Sequence, residues 1–142
     1  MTKLKIDLLC SKVEIALSQL NLDKLQRLSN SNWKYTLQEI DAQIVVVDAP
    51  QNDTPYLILY FKVIELEENQ KPIAIEELMK ANMQLTTKYG LMENRVIQTV
   101  EYLQTDELSS DSILLAISTY INHVSSVRIG LNQLFEEKML QK

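Results

Sequence analysis

The chain has 142 residues, 46% of them apolar and 23% charged, and carries a net charge of −5 at pH 7. A chain of that length buries about 70% of the surface of its unfolded form, so residues 1–142 fit a single domain that needs no disulfide. Acidic side chains outnumber the Lys and Arg that would release counterions from phosphates, which argues against nucleic acid and anionic membranes as partners.

The acidity is uneven. Residues 1–30 hold five basic and three acidic side chains, residues 31–110 six and thirteen, and residues 111–142 three of each. A basic or apolar peptide segment suits the middle region better than a polyanion. One cysteine, Cys10, permits no disulfide within the chain and fits a reducing compartment. The apolar stretch before Cys10 is broken by Lys5 and Asp7, so it reads as helix and not as a signal peptide. No run reaches the eighteen or so apolar residues of a membrane span. A cytoplasmic protein is expected.

In chain order, Leu4 to Leu28 reads as helical. Leu9, Val13, Ala16, Leu17 and Leu20 recur at spacings of three and four. Asn21 would cap a second short turn with Leu22, Leu25 and Leu28 on one face. The cluster Ser29-Asn30-Ser31-Asn32 breaks the helix, because these side chains compete for backbone hydrogen bonds. WKYTLQEI alternates with Trp33, Tyr35 and Leu37 on one face, Asp41-Ala42 makes a tight connection, and QIVVVDA is a β-branched strand. PQNDTP is a breaker. PYLILYFKVIEL then alternates, with Leu57, Leu59, Phe61 and Val63 on one side and Tyr56, Ile58, Tyr60 and Lys62 on the other. Three strands with short links imply an antiparallel meander.

IAIEELMKANMQLTT reads as a second helix with Ile75, Leu78, Met79, Met83 and Leu85 as its apolar stripe, stopped at Tyr89-Gly90. Glu93-Asn94 marks a hairpin turn between a short GLM strand and RVIQTVEYL, which places Val96, Val100 and Tyr102 opposite Ile97 and Leu103. LSSDS signals a helix start, and a long helix runs to about Leu140. Its positions Ile113, Ile117, Tyr120, Val124, Val127, Leu131 and Leu134 step by four and three, a heptad seam. That seam packs either across the sheet or against a second copy. A kink is possible at Gly130. The fold class is α+β: an antiparallel sheet with helices, order αβββαββα, and a long C-terminal helix.

Catalytic and cofactor chemistry finds little footing. Gly90 and Gly130 are forty residues apart and build no phosphate loop. His123 has no carboxylate or thiolate at helical spacing, so it reads as a surface or interface histidine and not as a metal ligand. Cys10 sits in an apolar stripe and reads as a buried inert thiol. Glu65, Glu67 and Glu68, like Asp106 and Glu107, read as solvated charge; a glycosidase-like pair would need one carboxyl raised by burial. No enzyme, cofactor or metal is expected. What remains is contact surface. The Tyr56/Ile58/Tyr60 face is amphipathic in the manner of an interface, unless helices cover both faces of the sheet.

The leading helix, the meander, the helix IAIEELMKANMQL, the strand RVIQTVEYL and the closing helix SDSILLAISTYINHV resemble, in order and size, the type III secretion chaperones and the related YbjN-like domains. The resemblance covers Leu4 to about Leu140. It implies a non-enzymatic protein, often a homodimer, that holds an extended client against its first helix and sheet. It places the client near Leu9, Val13, Tyr56, Ile58 and Tyr60, and a dimer contact on the Ile75–Leu85 helix and the Val96–Leu103 strand, through Ile75, Met79, Val96, Val100 and Tyr102. Ile117 and Val124 are the candidate contacts if the heptad seam is intermolecular. The expected function is a chaperone or assembly factor that shields an apolar or extended segment of a client protein. A structural or regulatory homo-oligomer subunit, or an assembly chaperone for a bacterial shell or carboxysome-type microcompartment, is the alternative; a small enzyme with an unrecognised carboxylate site is the third.

Overall fold

The computed structural model describes residues 2–48, 55–84, 88–103 and 108–140. Their order is α1 (Thr2–Ser18), β1 (Lys24–Ser29), β2 (Asn32–Leu37), β3 (Ile40–Val47), β4 (Tyr56–Glu65), α2 (Lys71–Gln84), β5 (Lys88–Met92), β6 (Arg95–Leu103) and α3 (Ser110–Leu140). The six strands form one antiparallel sheet in the order β1-β2-β3-β4-β6-β5. This is the expected α+β layout with one strand more at the front of the meander.

The added strand corrects the reading of Leu22, Leu25 and Leu28 as one face of a helical turn. Lys24–Ser29 pairs with β2 from Lys24↔Thr36 to Ser29↔Asn32. A free turn of helix would leave the edge of β2 without a ladder, whereas pairing satisfies the backbone of both segments. The second correction is the turn between β2 and β3. It lies at Gln38-Glu39, not at Asp41-Ala42, with φ of 52° and 66° and the pair Leu37↔Ile40 closing it. Two positive φ angles give the turn a twist that matches the flanking strands, at some cost for residues other than Gly or Asn. Glu93, at φ 58°, opens the expected hairpin turn between β5 and β6.

Strand alternation sorts the sheet into two unlike faces. Trp33, Tyr35 and Leu37 of β2, Ile40, Ala42, Ile44 and Val46 of β3, and Leu57, Leu59, Phe61 and Val63 of β4 are all buried. Cross-strand pairs Trp33↔Ile44, Ile44↔Leu59 and Leu59↔Val100 align them in rows. Both long helices lie on this face. Leu9, Val13, Ala16 and Leu17 of α1 and Ile113, Ile117, Ile121 and Val124 of α3 complete the core, and Phe61 packs on Tyr120 with ring centroids 6.1 Å apart. The heptad seam of α3 is therefore spent inside the chain, and Gly130 lies within an unbroken helix.

Two local devices position the elements. Ser109 caps α3, its Oγ accepting from the Ser112 N–H at 3.1 Å. Arg128 reaches down from α3 and donates to the carbonyls of Val63 and Lys62, beside a bulge in the β4–β6 ladder. The β3–β4 ladder ends at Ala42↔Phe61, so the guanidinium serves carbonyls that lie past the reach of β3.

On α2 the core contact differs from the expected stripe. Ala74 is fully buried, with Ile73, Leu78 and Ala81 half-buried beside it, while Ile75 and Met79 point outward. The expected stripe member Leu85, and the side chains of Met83 and Tyr102, fall outside the described positions.

Candidate protein-binding surfaces

The first surface lies between α1 and the β1–β2 hairpin. Ile6, Cys10 and Ile15 of α1 form its apolar part, Asp7, Ser11 and Glu14 its polar part, and Arg27, Asn30 and Ser31 its far wall, around a cavity of about 650 Å³. Arg27 fixes the groove's shape. Its Nη1 is 2.9 Å from Glu14 Oε1, its Nε and Nη2 donate to the carbonyls of Ser29 and Asn30, and its guanidinium sits 5.3 Å from the Trp33 ring centroid. Trp33 Nε1 donates to the same Glu14 oxygen at 2.9 Å. One carboxylate thus joins α1 to β1 and β2. Among the described residues the lining holds two carboxylates, Asp7 and Glu14, against one cation, Arg27, so it is slightly acidic. Leu25 beside it is 50% exposed and Ile15 49%.

β1 itself is exposed along its whole length. Among the described residues it pairs only with β2, which leaves its outer edge open. The opposite edge is treated differently. On β5, the Tyr89 N–H donates to Asn82 Oδ1 at 2.8 Å and the Tyr89 carbonyl accepts from Asn82 Nδ2 at 2.9 Å. A side-chain amide from α2 there takes the place of a neighbouring strand.

The second surface is the other face of the sheet. Tyr56, Ile58, Tyr60 and Lys62 alternate with the buried residues of β4 and remain partly exposed. The cleft on this face, about 390 Å³, is lined by strand and hairpin residues alone. The third surface is the outer side of α2, where Ile75 and Met79 flank a cavity of about 130 Å³ with Leu91 and Val96. Around the corner, His123 Nε2 is 2.8 Å from the Tyr89 hydroxyl, in a groove between α2 and α3.

Of the positions expected to meet a client, Tyr56, Ile58 and Tyr60 lie together on the open face. Leu9 and Val13 do not join them: both have no exposed surface and pack in the core. Among the described side chains of α1 the exposed large apolar ones are Leu8 and Ile15 instead. Of the positions expected at an oligomer contact, Ile75 and Met79 are exposed, whereas Val96, Val100, Ile117 and Val124 are buried within the chain. Burial pushes the Cys10 thiol up, with Arg27 opposing. Cys10 and His123 line separate clefts. Glu65 and Glu68 are exposed and pair with neighbouring cations. Among the described residues, no cluster of three or more His, Cys, Asp or Glu is placed to hold a metal. No described helix is long and apolar enough to cross a membrane.

No known family model and no curated protein sequence matches the chain. Its backbone is similar to a chain in the crystal structure of the ExsC–ExsE complex, with a TM-score of 0.66 over 89% of this chain and 95% of that one. The identity is 10%, so the likeness is one of fold. The shared fold is one that occurs in a complex between two proteins.

Proposed function

We propose that this protein is a non-enzymatic chaperone or assembly factor that holds an extended segment of a client protein along β1 and the groove beneath α1. The asymmetry of the two sheet edges carries this reading. On one edge the Asn82 amide occupies the backbone groups of Tyr89, and the other is a fully exposed strand running beside a groove of mixed apolar and polar lining. An open edge supplies backbone hydrogen bonds to an added strand, and alternate side chains of that strand reach the groove. Ile6, Ile15 and Leu25 give it apolar contact, and Asp7 favours a basic flank. The fold's occurrence in the ExsC–ExsE complex and the resemblance to type III secretion chaperones support the same class. Such a protein acts in the cytoplasm, where clients await assembly or export. It forms a homodimer through Ile75 and Met79 of α2, the exposed apolar positions beside the cavity at Leu91 and Val96.

The test is site-specific crosslinking in the native cell. Benzoylphenylalanine in place of Leu25 is expected to trap one dominant client, and the same probe in place of Ile129, on the outer side of α3, is expected to trap none. Ile15→Asp with Leu25→Lys is expected to reduce client capture about tenfold or more. Stability should change by less than about 1 kcal/mol, since both side chains are half-exposed. Equal crosslinking from both positions would remove the groove from consideration.

A further inference from the structure

Helix α2 stands on a thinner seat than the other two helices. Among the described side chains, α1 buries five, from Leu9 to Leu17, and α3 six, from Ile113 to Phe135, whereas α2 buries Ala74 alone. One methyl group supplies little apolar area to hold a helix. The helix is also poorly filled on both flanks. A cavity of about 130 Å³ lies between it and the strands at Leu91 and Val96. A groove of about 570 Å³ runs between its Leu78 and Ala81 and Val127, Leu131 and Leu134 of α3. Gly130 borders that groove without a side chain, and a Cβ placed there would meet nothing within 4 Å. Unfilled volume forfeits the dispersion contacts that packed surfaces make.

The directional fastenings of α2 lie at its two ends. At the front, the Glu67 N–H donates to Gln70 Oε1 at 2.9 Å and the Gln70 N–H to the Glu67 carbonyl at 3.0 Å. The Leu66 N–H donates to the Asn94 carbonyl at 2.6 Å, which ties this connection to the β5–β6 turn and makes it a fixed hinge. At the back, the Asn82 amide holds the outward N–H and carbonyl of Tyr89. Tyr89 has other supports. Its strand pairs with β6 from Lys88↔Thr99 to Met92↔Arg95, and its hydroxyl lies 2.8 Å from His123 Nε2 on α3. Release of Asn82 therefore frees the helix and bares a strand edge while the strand keeps its place. A helix of 14 residues is marginal by itself in water, so α2 unwinds once lifted.

We propose that α2 is a hinged cover, latched by Asn82, that opens as one unit while the sheet and the other two helices stay folded. Segments with few buried apolar contacts are the ones that open below the free energy of global unfolding. Opening exposes the backbone groups of Tyr89 and turns the β5 edge into an open one. The sheet then has one edge open in the closed fold, at β1, and one that is gated. This device is independent of the β1 groove and of any contact between copies.

Amide hydrogen exchange read by NMR at low urea concentrations is the test. Leu78 and Lys80 of α2 and the outward amide of Tyr89 are expected to share one opening and one urea slope. Their exchange is expected to be about a hundredfold or more faster than that of Ile44 and Leu59 in the interior strands. Gly90, whose N–H faces β6 by alternation, is expected to stay slower than Tyr89. Asn82→Ala is expected to speed Leu78 and Lys80 about fivefold or more. Gly130→Leu is expected to slow them about threefold or more relative to Gly130→Ala, because both substitutions favour the α3 helix but only Leu fills the groove. The same exchange is measured in Ile75→Asp with Met79→Asp, so that a contact between copies on α2 cannot hide the opening. Opening seen in that chain alone supports the cover and shows that copies hold it shut. The proposal is overturned if Leu78 and Lys80 exchange no faster than Ile44 and Leu59 in either chain. Tyr89 uncoupled from α2, Gly90 as fast as Tyr89, or equal rates in the two Gly130 variants would overturn it as well.

Discussion

Tyr35 lies in the core with its side chain almost wholly buried, and its hydroxyl meets no hydrogen-bond partner among the described residues. Such a hydroxyl costs about 1–3 kcal/mol of desolvation that nothing offsets. Burial also pushes its ionisation, and that of Tyr89, above the ordinary value of 10.0. A raised folded-state value means that the native chain holds these protons after the unfolded chain has released them. The stability they contribute is complete below about pH 10 and is lost as pH rises through the folded-state values. Tyr35→Phe is expected to leave stability at pH 7 unchanged or raised by up to about 1 kcal/mol. It is also expected to flatten part of the decline near pH 10.5. Urea denaturation at the two pH values checks both. Trp33, Tyr35 and Leu37 were legible as a core face because strand side chains alternate. The missing partner of the Tyr35 hydroxyl was not, since it depends on which atoms of other elements come near.

Among the elements, β1 was the least legible. Leu22, Leu25 and Leu28 repeat every three residues, a helical spacing, and KLQRLS holds no β-branched residue. Its strand state comes from the free edge of β2, which local sequence does not encode. The turn at Gln38-Glu39 was hidden for a related reason: neither residue is the Gly or Asn that usually marks positive φ. β4 was plain, because ten residues of alternation admit one geometry. The two sheet edges also part at this scale. Asn82→Ala removes both side-chain hydrogen bonds to Tyr89 and frees the β5 edge. It is expected to lower Tm by about 4 °C or more and to produce concentration-dependent association through the freed edge. A calorimetric scan and sedimentation at two concentrations measure these effects.

For the whole molecule, placing α1 and α3 on one face of the sheet settles which apolar residues remain for partners. The seam of α3 is used up against the sheet, so the proposed second copy would dock elsewhere, and Ile75 and Met79 are exposed apolar residues of α2 among those described. Under the proposed dimer, Ile75→Asp with Met79→Asp is expected to give a folded monomer, with stability changed by less than about 1 kcal/mol because both positions are exposed. Native mass spectrometry alongside circular dichroism reads the two quantities. A dimer that survives the double substitution would place the contact on another surface. The same arrangement leaves Tyr56, Ile58 and Tyr60 on an open face and draws Leu9 and Val13 into the core.

The sequence by itself determined the class of the fold, the three helices, five of the six strands, and the apolar face of β2 and of β4. These follow from periodicity, which is a local property of the backbone: every second residue of a strand and every third or fourth of a helix shares a face. Only the tertiary structure decided which face of α1 is exposed, which edge of the sheet is open, and which charges gather on the open face. An apolar stripe on a helix says that something covers it but does not say what, and a regional sum of charges says nothing about where on the surface they fall. The acidic residues 31–110 read as one field in the chain, but in space Asp41, Lys34, Lys62 and Arg95 gather at one cleft while Glu76 and Glu77 ride on α2, because strand alternation and the route of the loops send neighbours in sequence to different parts of the surface.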